Sequence, residues 1–218
     1  MIYLLWATIR PKKLTQTWYI WRDFADFPED LILKVAVDDG GAKNILEDEG
    51  IEDITVVDNP RHGVVAPTHE LTKSLKGCAF DDIIILCSDD FTPPRGWDSY
   101  LYGKFKVFNG VLKVNDGQMK NIISIPIMTY DAFTKLGRQI YNPAYNHMFA
   151  DQELHDVAHE MGICKHASCT DPEFRHHHYI HGMREKDEFD NRLTSTLDKA
   201  KALYQERRKL PLKERLRW

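Results

Sequence analysis

The chain has 218 residues, 43% hydrophobic and 28% charged, which suits a globular protein with one substantial core. Its formal net charge of −4 argues against a protein whose main activity is electrostatic binding of nucleic acid. No apolar run approaches the ~18 residues that span a bilayer, and the first residues lack the basic start of a signal peptide. We therefore expect a cytoplasmic protein without a transmembrane segment, whose four cysteines stay reduced.

Strand and helix patterns alternate along the chain, which is typical of βαβ units and a mostly parallel sheet. The predicted strands are short apolar runs: Ile2–Ala7, Leu31–Val37, Ile54–Val57, Asp82–Leu86, Val111–Val114 and Ile122–Ile127. The predicted helices are Leu14–Phe24, Pro67–Leu75 with Thr68 as its N-cap, Asp131–Gly137, and Asp151–Met161 closed by Gly162. The sequence predicts one α/β domain over residues 1–186, followed by a charged helix and a basic tail over residues 187–218.

The most informative stretch is the apolar run Asp82–Leu86 and the two carboxylates, Asp89 and Asp90, that follow it. A short β-branched run bounded by charge predicts a central strand buried on both faces. Open α/β sheets bind ligands at the carboxyl ends of their strands. Adjacent carboxylates there offer the hard oxygen ligands that suit Mg²⁺ or Mn²⁺. The alternative is that both aspartates cap the following turn.

Polar residues follow two other predicted strands, at Asp38-Asp39 and at Asp58-Asn59. Because the carboxyl ends of parallel strands lie at one edge of a sheet, these residues and Ser88–Asp90 are expected to meet. The first strand adds Thr8 and Arg10 at the same edge. Arginine suits a phosphate group because its charge is fixed and its donors form a fork. The sequence therefore predicts one site built from several strand ends.

A histidine-rich segment, His176–His178, is the second unusual feature. Neutral imidazole is a ligand for Mn²⁺ or Zn²⁺, and in an extended segment His177 points away from its two neighbours. A solvated polar strand edge is the alternative. A third interpretation is a structural zinc held by Cys164, Cys169 and two histidines, although that spacing matches no common zinc module.

These segments, in this order, resemble the GT-A-fold nucleotide-sugar glycosyltransferases, particularly the small family-two-like enzymes of bacteria and their phages. The resemblance covers roughly residues 1–182 and rests on Ala7–Pro11, Asp38-Asp39, Ser88–Asp90 in the place of the DXD motif, Ala150–Leu154, and His176–His178 with Gly182. The chain departs from the family pattern at Ala150, which replaces the first acid of an acidic pair, and at Tyr179 and His181. The resemblance implies a GT-A, Rossmann-like sheet flanked by helices.

The resemblance also implies roles for individual residues. A divalent ion, Mn²⁺ or Mg²⁺, is expected at Asp90, with His176 or His178 completing its coordination. Asp89 is expected to contact the ribose, or the ion through water. The other residues implied for the nucleotide pocket are Thr8, Arg10, Ser88, and Asp38 or Asp39.

Asp151 is the residue that the resemblance implies as the general base, which takes a proton from the acceptor hydroxyl. Its place at the start of a predicted helix favours the ionised carboxylate. An N-cap without a catalytic task is the alternative for this residue.

The sequence thus predicts a metal-dependent, inverting glycosyltransferase of the hexosyltransferase class that uses a nucleotide-diphosphate sugar. The sugar, the acceptor and the oligomeric state do not follow from it; a hydroxymethylated base in phage DNA and a glycan are both open as acceptors. A nucleotidyltransferase that uses a sugar phosphate is the alternative enzyme, although Thr8–Pro11 is not the glycine-rich phosphate loop expected of one. A nucleic-acid-binding module built on the basic tail is the non-enzyme alternative. A helix that packs through Leu197, Leu203 and Leu210 against the domain is the structural interpretation of the same tail.

Overall fold

The computed structural model describes residues 1–60, 63–118, 121–177 and 195–217, together with residues 182, 185, 188 and 191. The strands are β1 (Ile2–Thr8), β2 (Leu31–Val37), β3 (Ile54–Val56), β4 (Ile83–Cys87), β5 (Phe91–Thr92), β6 (Val111–Lys113), β7 (Ile127–Thr129), β8 (Cys164–His166) and β9 (Arg175–His176). The helices are α1 (Pro11–Asp23), α2 (Gly40–Asp48), α3 (Val65–Lys73), α4 (Trp97–Phe105), α5 (Tyr130–Lys135), α6 (Ala150–Glu160), α7 (Leu197–Arg207) and α8 (Leu212–Arg215), with a 3₁₀ turn at Pro28–Asp30. Within these residues no helix has both the length and the apolar character that crossing a membrane requires.

Seven strands form one mixed sheet in the order β3-β2-β1-β4-β7-β6-β8. β1 pairs in parallel with β2 and β4, β2 with β3, and β6 with β8. Only β7 runs antiparallel to its two neighbours in this sheet, β4 and β6. The expectation of a mixed, mostly parallel sheet flanked by helices is therefore confirmed. A second ladder of two strands, β5 and β9, stands apart from this sheet.

The central strand β4 is buried along its whole length, as its apolar sequence predicts. Its side chains alternate between two apolar layers: Ile84 and Leu86 belong to one layer, and Ile83 and Ile85 to the other. Because both faces of the strand are covered, the first residues free to meet solvent or a ligand are the polar ones that follow Cys87.

Two sequence-based expectations are wrong. The predicted strand Ile122–Ile127 is irregular up to its last residue, where β7 begins. Proline has no N–H for a sheet ladder, and Pro126 stands just before β7, where its carbonyl accepts a bond from the Leu86 N–H (2.9 Å). Thr68 is not an N-cap, because α3 begins earlier, at Val65, and the Thr68 hydroxyl donates to the Val64 carbonyl (2.7 Å).

A cluster of aromatic side chains anchors the segment after β4 to the segment before β9. The Trp21 indole donates to the Phe91 carbonyl (3.2 Å), and the buried Trp97 indole donates to the Trp21 carbonyl (2.8 Å). Trp21 meets Trp97 edge-on at 5.0 Å and also contacts Phe174 at 6.2 Å between ring centroids. Such pairs add about 0.5–1.5 kcal/mol beyond their burial. The two loops are thereby held against one rigid core.

The C-terminal helices α7 and α8 pack against α6 through a buried ionic cluster. Arg207 binds the buried Glu153 carboxylate in a bidentate manner, with Nε–Oε2 at 2.9 Å and Nη2–Oε1 at 3.0 Å. Arg215, only 3% exposed, approaches Glu153 at 3.6 Å and binds Glu160 at 3.1 Å. Two of the basic residues of the predicted tail are therefore internal ion-pair partners. The tail residues that remain exposed are Lys199, Lys201, Arg208, Lys209, Lys213 and Arg217.

We expect Arg207→Met to lower the free energy of unfolding by about 3 kcal/mol, because it leaves the Glu153 carboxylate buried beside one more distant cation. Arg208→Met is the matched control: this neighbour is exposed, and its change is expected to stay within ~0.5 kcal/mol. Urea unfolding followed by circular dichroism measures both values. Equal effects of the two substitutions would mean that the ionic cluster does not hold the C-terminal helices.

Candidate active site

Two adjoining cavities open at the carboxyl ends of β1, β2 and β4. The larger has a volume of about 430 Å³ and the smaller about 90 Å³. They share four lining residues, which are Val64, Cys87, Ser88 and His147. Their position is the one at which open α/β sheets bind ligands.

The smaller cavity is lined by Thr8, Arg10 and Asp89 from the ends of β1 and β4. Pro11 begins α1, a position that suits proline because the first helical N–H groups have no partner inside the helix, so Arg10 lies at the junction of strand and helix. The Arg10 guanidinium lies 3.3 Å from Asp89 Oδ1, and Lys13 Nζ lies 3.4 Å from the same oxygen. Two cations therefore flank one carboxylate at the rim of this cavity.

The structure separates the two aspartates that follow β2. Asp38 lines the smaller cavity and accepts a hydrogen bond from the Asn59 amide (3.1 Å), which joins the ends of β2 and β3. Asp39 instead accepts a bond from the Ala42 N–H (2.7 Å) and is the N-cap of α2. Asp39 lines neither cavity. Of the two alternatives, Asp38 has the position expected of a nucleotide contact.

The β5–β9 ladder brings the carboxylates after β4 to the histidine segment. Phe91 pairs with His176 in this antiparallel ladder, and their rings stack at 4.1 Å with an angle of 14°. The ladder continues beyond the strands, because the His177 N–H donates to the Asp90 carbonyl (2.7 Å). Asp90 and His176 are consequently neighbours in space, although 85 residues lie between them.

Asp90 and His176 both line the larger cavity. Asp90 Oδ2 lies 3.4 Å from His176 Nε2, and Asp90 Oδ1 accepts a bond from the Ser88 hydroxyl (2.5 Å). The His177 ring contacts the Thr92 hydroxyl (3.0 Å) instead, in keeping with the alternation of an extended segment. His178, the other metal ligand suggested by the sequence, lies outside the described residues.

Asp151 lies in the first turn of α6 and lines the same cavity as Asp90 and His176. Burial raises the pKa of Asp151 to about 6, while the Gln152 N–H bond to its Oδ1 and the nearby His176 act in the opposite direction. Ala150, which replaces the first acid of the family's pair, is 1% exposed and packs in the core. Asp151 is therefore the acid of this segment that reaches the cavity.

The sequence did not point to several residues of the loop before α6. His147, Met148 and Phe149 line the larger cavity, and His147 also lines the smaller one, where its Nδ1 accepts a bond from the Val64 N–H (3.3 Å). Phe149 has a φ of 67°, an unusual value for a bulky residue, and directly precedes α6. Tertiary contacts set these positions, so no local sequence pattern could have marked them.

Gly63 and Asn146 hold this loop against the loop before α3. A Cβ atom on Gly63 would lie 2.2 Å from the Asn146 carbonyl oxygen, so only glycine permits this approach. The Gly63 carbonyl accepts a bond from the Asn59 amide (2.9 Å), which ties the same contact to the end of β3.

The fold is that of the GT-A class of structures, as the sequence resemblance implies. The chain is similar to Staphylococcus aureus TarS residues 1–349, with a TM-score of 0.60 and 12% identity over 79% of this chain and 59% of that one. The UDP complex of the same protein gives a TM-score of 0.59, again at 12% identity and with 79% and 59% of the two chains covered. The chain therefore spans less than two thirds of the TarS structures it matches.

A Drosophila β-1,4-galactosyltransferase 7 variant, in complex with manganese, UDP-Gal and xylobiose, is also similar. It gives a TM-score of 0.54 at 13% identity, over 88% of this chain and 79% of that one. No protein-family model matches the chain, and no curated protein matches it in sequence. At 12–13% identity the likeness establishes the fold, whereas the chemistry depends on the side chains of the site.

We expect Gly63→Ala to destabilise the protein by about 1–3 kcal/mol, because the added methyl group forces the two loops of the site apart. Gly103→Ala is the matched control: this glycine lies in α4 with open space around its Cβ position, so alanine is expected to raise stability. Thermal melts of the two variants compare the effects. A Gly63→Ala variant as stable as wild type would contradict the close approach.

Proposed function

We propose that this protein is a metal-dependent, inverting glycosyltransferase that moves a sugar from a nucleoside diphosphate sugar to an acceptor hydroxyl. One observation carries the proposal: Asp90, His176 and Asp151 converge on one cavity of about 430 Å³. That cavity adjoins a smaller one lined by Arg10 and Asp38. A pair of metal ligands, a carboxylate base and an adjoining nucleotide pocket that contains an arginine are the parts that such a reaction requires.

Asp90 and His176 fit a divalent ion, Mn²⁺ or Mg²⁺. Their Oδ2 and Nε2 atoms are 3.4 Å apart, and adjacent ligand atoms of an octahedral ion with bonds of ~2.1 Å lie ~3 Å apart. A carboxylate with an imidazole favours Mn²⁺ over Mg²⁺. When bound, such an ion stabilises the negative charge that develops on the departing diphosphate.

The nucleotide diphosphate fits between the strand ends and the start of α1. Arg10 and Lys13 offer cationic groups to the diphosphate. Both lie beside the Asp89 carboxylate, which can also accept hydrogen bonds from the ribose hydroxyls. Asp38, held by Asn59, accepts hydrogen bonds from the base or the ribose. Ser88 orients Asp90 through its hydroxyl. Each of these residues binds or positions the donor without taking part in proton transfer.

Asp151 acts as the general base. The acceptor oxygen forms a bond to the anomeric carbon as the bond from that carbon to the diphosphate oxygen breaks, and the acceptor proton passes to the Asp151 carboxylate. With a pKa of about 6, this carboxylate is ionised near neutral pH and more basic than an ordinary aspartate. Direct displacement inverts the configuration at the anomeric carbon.

We propose a chemical class for the sugar donor and for the acceptor. Because similar structures hold UDP and, in one case, manganese with UDP-Gal, a uridine diphosphate sugar is the first donor to test. A glycan hydroxyl and a hydroxymethylated base in phage DNA both supply the group that Asp151 would deprotonate. The exposed basic residues of α7 and α8 support an anionic acceptor, since they are available to contact phosphates.

We expect Asp90→Asn to abolish the Mn²⁺ dependence of UDP binding, because a neutral amide is a poor substitute for a carboxylate ligand. Calorimetric titration of UDP, with and without Mn²⁺, measures this. Asp81→Asn is the matched control, since Asp81 is exposed and lines neither cavity. An Asp90→Asn variant that keeps wild-type, Mn²⁺-dependent binding would rule out the metal assignment.

Asp151→Asn is expected to retain binding of UDP and Mn²⁺ and to slow sugar transfer at least ~10²-fold, because only proton abstraction is removed. The amide oxygen can still accept the Gln152 N–H bond, so the helix start is preserved. Hydrolysis of the donor sugar, with water as the acceptor, provides the rate while the natural acceptor is unidentified. Equal loss of donor binding would instead identify Asp151 as a binding or capping residue.

A further inference from the structure

A second cluster of ligand side chains lies between α6 and β8, away from both cavities. On α6, His155 and His159 are four residues apart and therefore share one helix face. On β8, Cys164 and His166 are two residues apart and therefore share one strand face. Gly162, with a φ of 69°, turns the chain between the helix and the strand. The two pairs thus face each other across a short connection.

Three of these side chains already lie within reach of one ion. The ligand atoms of His155, Cys164 and His166 are all within 4.8 Å of one another. The ring centroids of His155 and His166 are 5.3 Å apart, and imidazoles that share a tetrahedral zinc have centroids ~5 Å apart. The His159 ring is 6.3 Å from that of His155, one turn along the same face of α6.

The buried position of the His155 side chain is unexplained unless its imidazole binds a ligand. It is only 8% exposed, and its Nδ1 atom is buried with no hydrogen-bond partner among the described residues. Buried imidazole nitrogens are normally hydrogen-bonded or bound to a metal, because leaving one unpaired is costly. None of His155, Cys164 and His166 lines either cavity, so the proposed transfer reaction does not account for them.

The cluster is partly buried, and its charged neighbours are one lysine and one aspartate. Partial burial lowers the pKa of both His155 and His166, which favours the neutral imidazole. Burial raises the pKa of the Cys164 thiol to about 11, and a coordinated metal displaces that proton. Two charged groups face the cluster: Lys113, which pairs with His166 in the sheet, and Asp156, whose carboxylate acts on His155.

We propose that His155, Cys164 and His166 bind Zn²⁺, with His159 placed to supply a fourth ligand. Thiolate and imidazole are the preferred ligands of structural zinc, and a set of four protein ligands leaves no open position for chemistry. The ion clips α6 to the edge strand β8. This zinc site has cysteine and histidine ligands, as in the hypothesis based on the sequence, but a different set of residues. Cys169, which is exposed in the loop after β8, is not one of its ligands.

The test uses the full chain in which Asp90→Asn excludes metal from the larger cavity. After loading with Zn²⁺ and dialysis against metal-free buffer, we expect one zinc per chain by mass spectrometry. Loading with Co²⁺ instead is expected to produce the charge-transfer absorption of a cobalt-bound thiolate. A chain that holds no stoichiometric zinc overturns the proposal.

Variants added to that background assign the ligands. Cys164→Ser is expected to lose the charge-transfer band, and His166→Gln, at an exposed position, to weaken zinc binding more than ~10-fold without disturbing the core. Cys169→Ser is the matched control and is expected to retain both zinc and the band. Retention of the band by Cys164→Ser, or its loss in Cys169→Ser, overturns the assignment.

Discussion

The site depends on a ladder of only two residue pairs, Phe91 with His176 and Thr92 with Arg175. This ladder fixes the separation of Asp90 and His176 through rigid backbone. Two isolated strands of this length would not be stable in water. Here they are held by the stacking of Phe91 on His176 and by the Trp21 indole bond to the Phe91 carbonyl. The aromatic core therefore stabilises the ladder that holds the two proposed metal ligands, Asp90 and His176, together.

The helix α6 combines three different tasks along its length. Asp151 in the first turn reaches the larger cavity, Glu153 two residues later binds the C-terminal arginines, and His155 one turn below Asp151 faces β8. Residues four apart in a helix lie on the same face, about 6 Å from one another along the axis. Asp151, the proposed base, and His155, the proposed zinc ligand, therefore share one face of α6. A displacement of this helix at any of the three points would move the other two. The position of the proposed base is consequently set by contacts on several sides of the helix.

Sequence reasoning succeeds where a physical rule is local. The five apolar residues of β4 and the polar residues after it predicted a central strand with a site at its end, and Gly162 correctly predicted the end of α6. Such features depend on neighbours within a few positions. The mostly parallel direction of the strands followed from the alternation of strands and helices. This is why the fold class and the set of strand ends could be predicted.

Other features depend on residues that are distant in sequence. The position of Asp38 in the smaller cavity depends on Asn59, 21 residues later, whose amide binds it from the end of β3. The segment of residues 122–126 has the alternating apolar pattern of a strand in sequence, but Ile123 and Ile125 lie in opposite layers, whereas residues two apart in a strand share a face. The pairing of the α6 histidines with Cys164 requires knowing that the chain turns back at Gly162 and lays β8 beside the helix. No single-sequence pattern contains that geometry.

The buried carboxylate of Glu153 also bears on how the protein is made in the cell. Its two cationic partners, Arg207 and Arg215, are synthesised more than 50 residues after it. Chains emerge from the ribosome from their N-terminal end, so α6 is complete well before its counter-charges exist. Until they arrive, the helix that bears the proposed base cannot dock without burying an unpaired charge, which is strongly unfavourable. Docking of α6 in its final position is thus coupled to the synthesis of α7 and α8, which supply the counter-charges of Glu153.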